Sequence, residues 1–412
     1  MMKRIWRTGM LALVFTATAC SDDFFQVTDP DILESTAIDP VRDGPVLARS
    51  AYQNFADSFS QTAVYIAWWA YEARVGDTFP TRNEFGRRFL DDTNGTLNGD
   101  VWSPMARAAS TSEQAVGILK DTPGLPLAIA AFSTAYSLLI MAETFCEGTV
   151  SAVAGEPGEK MTTAQLLDLA IERFTLARSE AQKLTGGEAA GIAQAALVGI
   201  ARAHLFAGRK TEAAAAATQV TPSFVYNLVY VDDPANRGRT GNEIETFSAS
   251  RLSLVVPPEY RAIADAGDPR ISYKDTGVLA QDSELWFYRQ MKFNGWGIPI
   301  RLASGLEARY IVAEATGDIN ARLTLINERR AVGGQTALAS NDPDVVLAAL
   351  MEQRALDFWL EGKKMGDYRR NPGFVPFFLP DNSEYYKPGV GEVGSQTCWP
   401  VPDAEKRHNP NW

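Results

Sequence analysis

The sequence predicts a mainly α protein of packed helix pairs, with a loop-rich half that carries small β-hairpins. Three observations predict it. Apolar residues recur at spacings of three and four along most of the chain, and Asp, Thr and Pro mark helix starts. That period breaks for one long stretch, residues 220–301, where Pro, Gly and β-branched runs take over. With 412 residues, 46% hydrophobic and 22% charged, the chain supplies an ample core and excludes disorder as its main state.

Residues 1–19 form an export signal. Lys3, Arg4 and Arg7 precede an apolar run from Met10 to Ala19 that is too short to span a bilayer. Ala17, Thr18 and Ala19 then lead into Cys20, a boundary that resembles the lipobox of bacterial lipoproteins, although Ala17 stands where Leu is usual. Cys20 is therefore the expected lipidation site and mature N-terminus; the plainer alternative is secretory cleavage with Cys20 free. Ser21, Asp22 and Asp23 are similar to the acidic tag that directs lipoproteins of Bacteroidetes-like bacteria to the cell exterior. Residues 20–39 read as a lipidated tether.

The helical core is expected over 40–219 and 302–362. Asp39 and Pro40 are an N-cap and a first-turn proline, and Val46, Tyr52, Phe55 and Phe59 continue one stripe. A second helix is predicted over 63–74, where Trp68 and Trp69 read as core, and a long loop over the Gly- and Asn-rich 76–99. Helices follow over 101–119 and 125–145. Thr162 and Gln165 make a capping box for a helix with Leu166, Ala170, Phe174, Ala177, Ala181 and Leu184 on one face. Its partner over 188–207 ends at Gly208, and an Ala-rich segment follows. The small residues Ala170, Ala201 and Ala203 resemble tetratricopeptide-type packing, in which helices approach closely. Beyond the insertion, helices return over 302–316, 319–332 and 342–361, the last with Asp342 as cap, Pro343 in its first turn and Gly362 as stop. A Pro- and Gly-rich tail spans 363–412.

Composition narrows the chemistry. The net charge is −11, and the cleaved signal removes three cations and no acids, so the mature chain carries −14. Such a chain is repelled by nucleic-acid phosphates and by anionic headgroups, which leaves the lipid as the membrane anchor. Two His and three Cys cannot supply an all-cysteine zinc site, and no metal or cofactor is expected. Once Cys20 is lipidated, Cys146 and Cys398 remain; they either pair or stay as buried free thiols.

Three C-terminal segments resemble the SusD/RagB family of outer-membrane nutrient-binding lipoproteins. They are the stretch from Glu307 to Ala315 with Leu325 to Arg330, the stretch from Gln353 to Gly362 with Asp367 to Arg370, and Trp399 to Pro402 with Asn409 to Asn411. Gln353 stands where glutamate is usual and Lys364 where arginine is usual, which predicts a weakened ion-pair network. The resemblance implies tetratricopeptide-like helix pairs under a ligand-binding half. It also implies a SusC-like TonB-dependent transporter as partner, with the lipoprotein as a hinged lid, and capture without catalysis. Arg354, Glu361, Asp367 and Arg370 could be taken for an active site, but charges one helix turn apart beside a glycine read as structural, and Glu314, in an otherwise apolar helix, reads likewise as a paired structural acid.

A sugar offers hydroxyls to planar polar groups and its C–H face to aromatic rings. Arg74, Asp77, Phe79, Arg82 and Asn83 supply that mixture after the early helices, and Trp286 supplies it in the insertion, with Tyr288 and Trp296 nearby. The expected ligand is an oligomeric nutrient, a glycan first and a peptide second. A surface glycoside hydrolase would need two carboxylates flanking the sugar, which no motif marks. A helical scaffold would leave the insertion's aromatics without a purpose.

Overall fold

The Asp39 carboxylate accepts hydrogen bonds from the N–H groups of Val41 and Arg42 at 2.9 and 3.2 Å and so starts the first helix, α1 (Pro40–Trp69). The computed structural model describes residues 38–412; the expected export signal, Cys20 and most of the expected tether lie outside the described residues. Asp39–Trp412 form one unit. Helix α1 runs thirty residues where two helices were expected, because nothing before Ala63 breaks it: Ser58 and Ser60 bond back to the carbonyls of Phe55 and Asp57 within the helix. Val46, on the predicted stripe, is 68% exposed, and the buried face is carried by Ala48, Ala51, Phe55 and Phe59.

The expected loop over 76–99 holds structure as well. Strand β1 (Arg74–Val75) leads to α2 (Pro80–Arg87), and a π-helical turn, Leu97–Trp102, runs into α3 (Ser103–Leu119). Helix α4 (Leu125–Thr144) is apolar on every side because it is buried on every side, from Leu127 to Thr144. The hairpin of β2 (Glu147–Thr149) and β3 (Lys160–Thr162) then delivers the chain to α5 (Thr163–Gln182). The predicted capping box is present: Thr162 Oγ1 accepts from Gln165 N at 3.3 Å, and Gln165 Oε1 accepts from Thr162 N at 2.9 Å. Helices α6 (Gly187–Phe206) and α7 (Lys210–Ala217) complete this half. Phe174 of α5 packs edge-on against Tyr136 of α4, and a Cβ at Gly199 of α6 would lie 2.3 Å from its ring, so only glycine allows this approach.

The insertion begins and ends at one place, because β4 (Val225–Leu228) pairs antiparallel with β8 (Ile300–Ser304). Between them lie α8 (Arg237–Thr240), α9 (Glu243–Glu245), a second π-helical turn at Thr246–Ser250, β5 (Leu254–Val255), α10 (Pro258–Asp265), β6 (Tyr273–Leu279) and β7 (Trp286–Gln290). A four-stranded antiparallel sheet in the order β1-β5-β7-β6 ties the insertion to the segment after α1. Helices α11 (Gly305–Thr316), α12 (Ile319–Val332) and α13 (Pro343–Asp357) follow, capped by Ser304, Asp318 and Asp342. Helix α13 stops four residues short of the expected 361, because Leu360 and Gly362 turn the chain through left-handed backbone at φ 60° and 67°. The tail is not structureless and contains α14 (Lys364–Arg370) and α15 (Asp403–His408).

A buried ionic network locks the C-terminal helices to the rest. Fully buried Glu307 lies 3.0 Å from Lys363 Nζ, with the guanidiniums of Arg202 and Arg354 at 3.6 and 3.8 Å. Arg202 also forks onto Glu143, the Arg354 Nε donates to both oxygens of Asp367, and Arg370 bridges Asp367 and Glu314. Glu361 accepts from Arg301 and Lys292. These motif residues are structural, as a charge deprived of its partner in such a site is costly. Gln353 and Lys364 contribute hydrogen bonds to this region and no ion pair among the described residues. Gln353 accepts from Arg270, which keeps Asp268 and Asp357, and the Lys364 ammonium donates to Ala70 O, Tyr260 OH and Phe377 O.

Cys146 and Cys398 are joined as a disulfide, with 5.2 Å between their Cα atoms. It clasps the tail to the end of α4, where Trp399 N donates to Thr144 O and Cys146 N to Trp399 O.

Candidate functional site

Where α1, the two π-helical turns and the start of α2 meet, polar and aromatic side chains from distant parts of the chain converge. Phe79 occupies the N-cap position of α2 and is 53% exposed. Arg82, one turn on, places its guanidinium 4.7 Å from the Phe79 ring centre and 5.2 Å from that of Phe247. It donates to Asp77 Oδ2 at 2.6 Å and stands 4.0 Å from the Asp100 carboxylate, which accepts from the Tyr65 hydroxyl at 2.5 Å. Arg251 covers Phe247 from 4.8 Å. Two further acids face this group. Burial pushes the Glu243 carboxyl up to about 7 against the pull of Arg251, with Asp57 and Asp100 adding to the rise, and burial pushes Asp57 up to about 6. Here π-helical turns position Asp100 and Phe247, in keeping with the frequent use of such turns at functional sites.

The tip of the β6–β7 hairpin borders this face. Trp286 is 58% exposed and pairs across the strands with exposed Leu279, while Phe287 turns to the other side and is buried with Val255 and Ala280. The hairpin turn is pinned to the loop before Phe79: Thr78 N donates to Gln281 Oε1 at 2.8 Å, and Lys387 joins Asp282 at 2.7 Å to the carbonyl of Asp77 at 2.8 Å. The two exposed aromatics therefore flank one fixed junction.

The predicted site residues separate into different positions. Phe79 and Trp286 are exposed, and Arg82 forms the floor beneath Phe79. Asp77 and Asn83 are buried; Asp77 accepts from Phe79 N, and Asn83 donates to the carbonyls of Asp77 and Phe79, so both shape the turn. Arg74 lies apart, bonded to the Tyr71 hydroxyl and stacked 4.8 Å from the Tyr386 ring centre. Trp296 donates to Thr246 Oγ1 and is covered by Arg237 at 4.0 Å, and the Tyr288 ring is covered by Arg261 at 3.6 Å, so both are already occupied. Tyr65, Asp100, Phe247, Arg251 and Glu243 were missed. Tyr65 carries the one hydroxyl in the apolar run from Ala63 to Ala70, which is the signal that could have marked this end of α1.

Among the described residues, no group of three or more His, Cys, Asp and Glu side chains is arranged to hold a metal ion. No protein-family profile matches the chain, and no curated protein matches it. Solved structures do match. A SusD superfamily protein from Parabacteroides distasonis is similar at a TM-score of 0.68 and 16% identity, over 91% of this chain and 98% of that one. A SusD-like carbohydrate binding protein from Bacteroides vulgatus gives 0.67 and 15%, over 90% and 96%. A laminarin binding SusD-like protein gives 0.66 and 14%, over 89% and 99%. These structures match this chain in its mainly helical fold with a few small antiparallel sheets. The chain has the SusD-like fold.

Proposed function

We propose that this protein captures an oligomeric glycan on the face around Phe79, Arg82 and Trp286. It does so as an outer-membrane lipoprotein anchored through Cys20 and facing the cell exterior. The bound nutrient then passes to a SusC-like TonB-dependent transporter, over which the protein sits as a hinged lid. One observation carries the reading: two exposed aromatic rings flank a pinned junction, beside a floor of Arg82, Tyr65, Asp100 and Glu243. Rings suit the apolar face of a sugar, and the fixed donors and acceptors suit its hydroxyls. The SusD-like fold supports it, since similar structures include a laminarin binding protein. The test is glycan-array binding of the mature chain, with recovery of the lipidated protein from outer membranes. A bound glycan and a co-purifying transporter barrel are expected; loss of both would reject the reading.

A second reading has one observation in its favour. Glu243, raised to about 7 beside Asp57 and Asp100, holds its proton near neutral pH as a general acid must. A hydrolase would release shortened glycan in a reaction that Glu243→Gln abolishes; intact glycan after prolonged incubation supports capture.

A further inference from the structure

Three cations with no carboxylate partner among the described residues line one concavity of about 390 Å³, formed by the α6–α7 turn and by α11, α12, α13 and α14. Arg322, near the start of α12, donates to the carbonyls of Ala313 and Glu314 at 2.9 and 3.1 Å and closes the end of α11. Arg369 of α14 donates to the carbonyls of Ala142 and Phe145 at 2.7 and 3.2 Å, and lies 5.1 Å from the Phe206 ring centre. Lys210, the first residue of α7, is exposed at the rim. Arg370 also lines the space, but Glu314 and Asp367 match its charge. Glu314 is the one acid in the lining, and it is held by Arg370 and Asn371.

Each helix end offers only about half a charge in all, which does not neutralise the guanidinium bonded to it. Only some of the five N–H donors on each guanidinium are used: Nε and Nη2 of Arg322, and Nη1 of Arg369. Burial lowers both from the ordinary arginine value, and a single carboxylate opposes it in each, Glu314 for Arg322 and Glu143 for Arg369. A second charged concavity, lined by Arg270, Lys292, Arg301 and Arg329, differs in kind. Each cation there already has Asp268, Asp357 or Glu361 within reach. In a chain of net charge −11, the unmatched cluster is a local reversal of sign.

We propose that this concavity is an oxyanion site, which takes a phosphate, sulfate or carboxylate group between Arg322 and Arg369 with Lys210 at its rim. Planar guanidinium forks suit such groups. The site shares no residue with the aromatic junction and does not depend on its assignment.

The test is calorimetric titration of the mature chain with sodium phosphate at low ionic strength, comparing Lys210→Glu with Lys120→Glu. Lys120 is an exposed lysine outside this lining, and the two variants change net charge equally. A glutamate in the first turn of α7 suits the helix dipole, so the first variant is expected to fold. Saturable binding that falls about tenfold in Lys210→Glu and is unchanged in Lys120→Glu is expected. No saturable binding, or an equal loss in both variants, would overturn the proposal. A parallel titration with oligogalacturonate separates a sugar-borne carboxylate from a free ion. Oligogalacturonate binding that is lost in Lys210→Glu supports the site with a glycan-borne group, and phosphate binding alone supports it with a free ion. Binding of either probe that ignores Lys210→Glu counts against it.

Discussion

Glu243 shows how a single carboxyl at the junction couples protonation to stability. Its folded value lies near 7, above the ordinary 4.5, so the unfolded chain releases its proton first and the fold loses stability as pH rises between those values. Glu243→Gln removes that loss. Its melting temperature should gain on the wild type from pH 4.5 to pH 8, by the equivalent of about 1–2 kcal/mol after solvent screening. A difference that stays constant with pH would contradict the assignment. Glu307 is the opposite case: burial would raise it, but Lys363, Arg202 and Arg354 hold it below its ordinary value. Glu307→Gln strands those cations and should cost on the order of 3–5 kcal/mol in urea unfolding. At this scale the sequence was partly readable. Exposed aromatics beside polar groups were visible at Phe79 and Trp286. Whether Asp77 and Asn83 face water or the backbone depended on a turn that no spacing reveals.

Among the elements, those with complete local signals were readable. Thr162 with Gln165, and Asp342 with Pro343, mark helix starts that the structure contains, because cap and first turn are decided by neighbours in sequence. Thr162→Ala should cost about 1 kcal/mol, read by thermal melting. Gly199→Ala should cost more than this cap, since the added Cβ meets the Phe174 ring; equal losses would place the α5–α6 contact wrongly. The continuity of α1 and the presence of α2 were not readable. The first depends on burial of Thr62 to Trp69 by partners far along the chain, and the second hides in a polar stretch whose helical face is set by Phe85 and Val75 of the neighbouring strand.

Across the whole molecule, the paired-helix architecture and its interruption were legible, because they rest on periodicity summed over many residues. The sheet that joins β1 to the insertion was not, since it pairs residues about 180 positions apart, as Arg74 with Val255. The disulfide has a similar reach, closing 252 positions, and in the chain-entropy model a loop of that size stabilises by up to about 5 kcal/mol. Reductant should therefore lower the melting temperature of the mature chain, with both thiols then open to alkylation; an unchanged melt would deny the clasp its role. The junction depends on this long-range assembly, because α1, α2, both π-helical turns and the β6–β7 hairpin must all be in place before Phe79 and Trp286 flank one site.

The most direct test of the central claim is the affinity of the mature chain for its best array glycan, measured by calorimetry beside the Phe79→Ala and Trp286→Ala variants. Both side chains are exposed, so the variants should melt as the wild type does. Each should weaken binding by about tenfold, the loss expected when a ring no longer covers a sugar face. Full affinity in both variants, or no glycan bound by the wild type, would contradict the account.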